Sequence, residues 1–212
     1  MMSAAVHSLR AMALAAMLSA VPALSARAAD NLATVQQRVA QVPVLRGDFT
    51  QEKRIQGFKN PLRSQGRFLL ARDKGVVWTT LKPFPSEVVL TRERILSRQR
   101  DGSTRVEMDA SQQPALRSVN AMMFALMSGD VKALTARFDV QAQALPGNGW
   151  KLVLKPRPGT MAQAFNAITL EGDRYVRSVG IDERNGDNTR LQFSGMSEAP
   201  AQLTTDEAHR FD

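Results

Sequence analysis

The chain has 212 residues, no cysteine, two histidines and a formal net charge of +8. That length can bury a core without disulfides or a structural metal, and the missing cysteines exclude both a disulfide framework and a lipid-anchoring cysteine. The positive excess is uneven, since residues 46–105 hold 14 basic against 6 acidic residues; this suits anionic headgroups or an acidic partner face, and no aromatic-interleaved basic motif points to nucleic acid.

Residues 1–28 read as a secretory signal peptide. Arg10 precedes the apolar run Ala11–Leu24, which is short for a bilayer span, and Ala26-Arg27-Ala28 is a small-x-small cleavage pattern. The expected location is therefore the periplasm, with residues 29–212 as a single domain. Asp30 or Asn31 can cap a helix over Leu32–Gln41, whose Leu32, Val35 and Val39 recur at helical spacing before Pro43 ends it. Arg46–Ile55 alternates as a strand, and Gln56–Pro61 is a turn. From Ser64 to Thr91 three short strands follow. Gly66, Phe68, Leu70 and Arg72 share one face of the first, so an apolar wall carries one arginine. Trp78, Val88 and Leu90 extend that wall. Arg94–Gln99 and Ser103–Met108 flank Asp101-Gly102, a hairpin turn, with Val106 and Met108 on one face of the second arm.

After Ser111–Pro114 the pattern becomes helical. Met122, Met123, Phe124, Leu126 and Met127 crowd one helix, Gly129 punctuates it, and Asp130 can cap a second that carries Val131, Leu134 and Phe138. Methionine suits surfaces that accept varied apolar ligands. Strands then return at Val140–Leu145, Trp150–Lys155, Phe165–Leu170, Arg174–Ile181 and Arg190–Ser194. The tail from Ala199 is polar, and its last residues are expected to be loosely held.

Hairpin-linked strands with a few short helices predict an α+β fold: an incomplete, half-open antiparallel β-barrel of about ten strands, with a short helical lid over its concave apolar face. Catalytic chemistry is sparse. No nucleophile elbow, phosphate loop or zinc motif occurs, His7 leaves with the signal peptide, and His209 stands near the end. Asp48 and Glu52 share a strand face and read as surface carboxylates, while Asp101, Asp173 and Asp187 fall in turns. A binder or carrier, with no enzymatic activity, no cofactor and no metal, is the expectation.

Asp48-Phe49-Thr50-Gln51, Gly66-x-Phe68, Arg72 six residues before Trp78, Pro83, the Val88-Val89-Leu90 strand and Leu152-x-Leu154-x-Pro156 together resemble the LolA family of periplasmic lipoprotein carriers. The resemblance implies an apolar cavity under a helical lid, and transfer of lipoprotein acyl chains from an inner-membrane transporter to an outer-membrane acceptor. It implies that Arg72 latches the lid. The expected cavity lining is Phe68, Leu70, Trp78, Val88, Leu90, Val106, Trp150, Leu152, Leu154, Leu191 and Phe193, with Met122, Met123, Phe124, Leu126 and Met127 as lid. The expected partners are lipoprotein acyl chains or another lipid, and the protein is expected to act as a monomer. The alternative is a lipid-sensing or scaffold domain working with an inner-membrane exporter, for example of a glycolipid or aryl-polyene lipid.

Overall fold

The computed structural model describes residues 22–91, 93–98, 104–109, 124–125 and 130–211, with side chains from residue 30 onward apart from 104–109 and 160. The strands are β1 (Val44–Arg54), β2 (Leu62–Ala71), β3 (Gly75–Lys82), β4 (Ser86–Thr91), β5 (Arg94–Arg98), β6 (Thr104–Asp109), β7 (Phe138–Ala144), β8 (Trp150–Pro156), β9 (Phe165–Gly172), β10 (Val176–Glu183) and β11 (Asn188–Ser197). They form one eleven-stranded antiparallel sheet in the order β6-β5-β4-β3-β2-β1-β11-β10-β9-β8-β7. Two runs of consecutive hairpins thus meet at β1 against β11, where Phe49 stands opposite Phe193. Among the described residues β6 and β7 each pair on one side only, so the sheet is a half-open barrel. The chain between those edges includes the helical pair Phe124–Ala125 and the short helix α2 (Val131–Thr135).

Period-2 alternation assigns the two faces. On the inner face Phe49, Phe68, Leu70, Trp150, Leu152, Leu154, Ile168, Leu170, Leu191 and Phe193 join one buried cluster. The first helix, α1 (Pro22–Arg38), lies against β7 and β8 and adds Val35 to it. Asp130 caps α2 as expected, its carboxylate accepting from the Ala133 N–H at 3.0 Å, and Val131 and Leu134 face the same cluster.

Three expectations need correction. The first helix starts before Leu32 and stops at Arg38 rather than Gln41. Beyond Val39 the backbone changes partner: the Ala40 N–H donates to the Arg174 carbonyl at 2.8 Å, which turns the chain onto the β9–β10 turn. Phe138, placed by its spacing on the second helix, instead opens β7 because that helix stops at Thr135, and a further short helix, α3 (Thr160–Ala164), occupies a stretch to which the sequence assigned no element. The third correction is the tail. It ends in α4 (Thr205–His209), which begins with a reciprocal capping box between Thr204 and Glu207.

The tail is docked on the outer face. There Val44, Leu69, Ala71, Val77, Val89 and Leu96 form a second apolar cluster, and Phe211 closes it at 5 % exposure. Burying one such ring contributes about 1.5–3 kcal/mol. Polar groups fix its position. Arg46 on β1 donates from Nε and Nη2 to the two Glu207 oxygens, both at 2.6 Å. Arg210 donates to Glu87 at 2.6 Å, and Arg98 to the Arg210 carbonyl at 3.0 Å.

The Arg46 guanidinium holds the Glu207 carboxyl down at about 2 from its ordinary 4.5. A folded-state value below the unfolded one stabilises the fold fully above about pH 4.5, and the effect fades as pH falls toward 2. The pair is partly buried, with side-chain exposures of 17 % and 19 %, and the solvent that still reaches it limits its worth to about 1–2 kcal/mol. Urea unfolding of Glu207→Gln should show that deficit at pH 7 and a smaller one at pH 3. An equal deficit at both would count against the ion pair as its origin.

Candidate functional site

The inner face is divided between two kinds of cover. Over β7–β9 it is filled. Trp150, Leu152 and Leu154 are fully buried in the cluster that α1 and α2 enter. The end of α1 is tied down by Arg38, which donates to the Leu145 carbonyl at 3.0 Å and to that of Gly149. Over β1, β3, β4 and β11 the face is open enough to leave a cavity of about 250 Å³, lined by Gln51, Val76, Trp78, Val88, Leu90, Phe124 and Leu191.

Register explains why these side chains converge. Trp78 stands opposite Val88 and Val76 opposite Leu90 on the β3–β4 pair, while Gln51 stands opposite Leu191 on β1–β11. Trp78 is fixed from behind by Phe49, whose ring stacks on it with centroids 3.8 Å apart, and Phe193 meets Trp78 edge-on at 6.1 Å. Among the described lining residues Gln51 is the one polar side chain and none titrates, so the wall they form can sort apolar groups. At the far end of the same β1 face Lys53 pairs with Glu183 at 3.0 Å and Asp187 at 3.7 Å, and its hydrogen bond to Glu183 raises its pKa.

Trp78, Val88, Leu90, Leu191 and Phe124 are thus gathered around one cavity. Phe68, Leu70 and Phe193 are buried in the wall behind it, and Trp150, Leu152 and Leu154 lie under α1 and α2. Val106 lies on β6, where side chains are not described, and Met122, Met123, Leu126 and Met127 lie outside the described residues. The sequence reading missed Val76 and Gln51 as lining. Alternation from Trp78 and from Phe49 could have named both. Arg72 stands at the end of β2, and its Nε donates to the Val42 carbonyl at 3.3 Å while its backbone N–H donates to Pro43 at 2.9 Å. Its partner among the described residues is therefore the segment leaving α1.

Residues 23–211 match the family described as outer membrane lipoprotein carrier protein LolA-like. The chain belongs to this LolA-like family. No curated protein matches the sequence. Solved structures similar to this LolA-like chain include a LolA superfamily protein from Nitrosomonas europaea, at 9 % identity and TM-score 0.45 over 87 % of this chain and 97 % of that one. A lipoprotein-sorting protein domain from Vibrio parahaemolyticus aligns at 7 % identity and TM-score 0.44, over 88 % and 98 %. The Pseudomonas aeruginosa MucA/MucB complex aligns at 16 % identity and TM-score 0.42, over 85 % of this chain and 62 % of that one.

Proposed function

We propose that this LolA-like protein is a periplasmic carrier. In this reading it is exported by a signal peptide at residues 1–28 and acts as a monomer. It takes up acyl chains of lipoproteins or a related lipid from an inner-membrane transporter and delivers them toward an outer-membrane acceptor. The observation that supports this most directly is the apolar cavity under Phe124 on the half of the inner face that α1 leaves uncovered. Transfer of each methylene from water into such a site is worth about 0.8 kcal/mol. The cavity, at about 250 Å³, is smaller than the roughly 300–1,000 Å³ of typical ligand sites. A long chain must displace the Phe124 segment, and that cost offsets part of the binding energy and allows release.

Arg72 is the candidate latch, acting through the segment that leaves α1. Arg72→Leu removes the guanidinium bond to Val42 and keeps the backbone bond to Pro43, so it should cost no more than about 1 kcal/mol of stability. Its expected effect is a changed rate of lipid release, read by transfer of a fluorescent fatty acid to acceptor vesicles. An unchanged rate would remove Arg72 from the mechanism.

Native mass spectrometry of protein purified from the periplasm of a Gram-negative host, followed by lipid extraction, tests the carrier reading. An acylated species that co-purifies is expected. A bare polypeptide mass, together with failure to take up added lipoprotein, phospholipid or fatty acid, would overturn it.

A further inference from the structure

Among the described residues, the exposed large apolar side chains are Phe58 (69 %), Leu62 (57 %), Leu81 (44 %) and Phe84 (79 %). All four stand at one end of the sheet. Phe58 is in the β1–β2 turn and Leu62 begins β2 opposite Lys53. Gln65 pairs with Lys82, so the β3–β4 turn carrying Phe84 lies beside the start of β2. Arg72 and the exit of α1 are at the other end.

Cations are interleaved with this apolar rim. Lys59 follows Phe58, Arg63 follows Leu62, and Lys82 follows Leu81. Between the two turns a groove of about 420 Å³ runs across β11, β1, β2 and β3, and its walls include Arg63, Lys82, Arg190, Gln65 and Gln192. Glu52 is also a wall of this groove, and it and the neighbouring Glu183 and Asp187 are already engaged. Glu52 is bridged by Arg54 at 2.8 Å and Arg63 at 3.1 Å, and Glu183 and Asp187 by Lys53. Lys59, Lys82 and Arg190 make no ion pair among the described residues.

We infer that this end of the molecule is a docking surface for an anionic lipid bilayer. Phe58 and Phe84 enter the acyl boundary at the two turn tips, and the groove between them receives an anionic headgroup. Exposed aromatic tips beside unpaired cations combine apolar burial with attraction to a negative surface, the pairing that interfacial binding requires. A purely solvated rim would not place its largest apolar side chains at the tips. The surface does not depend on the cavity reading, because none of these side chains except Gln51, whose strand separates the two, lines both sites.

Co-sedimentation with vesicles of phosphatidylcholine, alone or mixed with phosphatidylglycerol, tests it. The full chain after leader removal should bind the mixed vesicles and release in high salt. Phe58→Ser with Phe84→Ser should lower binding at least about tenfold, with near-UV circular dichroism unchanged. Lys82→Glu with Arg190→Glu should remove the preference for phosphatidylglycerol. Lipids brominated on the acyl chain should quench Phe84→Trp beyond the wild-type level. Leu90→Arg, which blocks the cavity, should still bind vesicles. Wild-type binding by the tip variant, no preference for the anionic lipid, no added quenching, or loss of binding in Leu90→Arg would each overturn the docking surface. The last would assign vesicle binding to the cavity instead.

Discussion

Leu90→Arg should abolish acyl-chain uptake while leaving the protein folded. Leu90 lines the cavity from β4, opposite Val76 and beside Ile95 of β5. It is only partly buried, so an arginine there can run its methylenes along the wall and carry its guanidinium toward water. The fold survives on that account. Cargo binding does not, because an acyl chain would have to seal a guanidinium away from solvent, at a cost of several kcal/mol. A loss of at least about 100-fold in affinity for a fluorescent fatty acid follows from roughly 3 kcal/mol. Titration of the probe, with thermal unfolding as the folding control, checks it. A folded variant with wild-type affinity would move the binding site away from this cavity.

Gly66→Val should prevent cooperative folding. Gly66 sits on the inner face of β2, opposite Phe49 and beside Thr80. A methyl carbon placed there would fall on the Thr79 carbonyl oxygen and come within 2.9 Å of the Phe49 ring. Neither neighbour can yield cheaply. The carbonyl belongs to the β2–β3 ladder, and the Phe49 ring is held by its stack on Trp78. Separating those strands costs several kcal/mol, against a total stability of about 5–15 kcal/mol for a domain of this kind. Gly66→Ala should unfold in clearly milder urea, and Gly66→Val should lack a sigmoidal transition by circular dichroism. A wild-type midpoint for Gly66→Ala would show that the strands can part at no cost.

Alternation made the inner wall readable. Phe68 and Leu70, Trp78, Val88 and Leu90 lie on the face that their spacing assigns, because a pleated strand leaves no other choice. Asp130 was legible as a cap for the same local reason. Spacing names a face and not its occupant, however. Trp150, Leu152 and Leu154 have the parity of cavity residues, yet they pack beneath α1 and α2, a tertiary fact that no strand pattern carries. Phe211 was invisible for a related reason. One aromatic residue at the end of a polar tail has no periodicity, and its partners, from Val44 to Leu96, are distant in sequence. Arg72 lies one residue past the end of β2, and its contact with Val42 depends on where α1 ends, which is set by a backbone bond to Arg174, so strand spacing does not carry it.

The seam between β1 and β11 constrains how this chain reaches its final form. The first strand made and the last strand made are neighbours in the middle of the sheet, not at its margins. Until β11 arrives, β1 is an unpaired edge carrying Phe49, and the meander β1–β6 can form only as a half-sheet with an open template along one side. Loop closure from β1 to β11 precedes the central pairing, while every other pairing joins consecutive strands, so this one long-range pairing is the step that lags, and β1 is open to edge-to-edge association while it waits. The half that ripens first must be guarded during that interval, and the assembled sheet cannot be divided into an early and a late module without cutting through its centre.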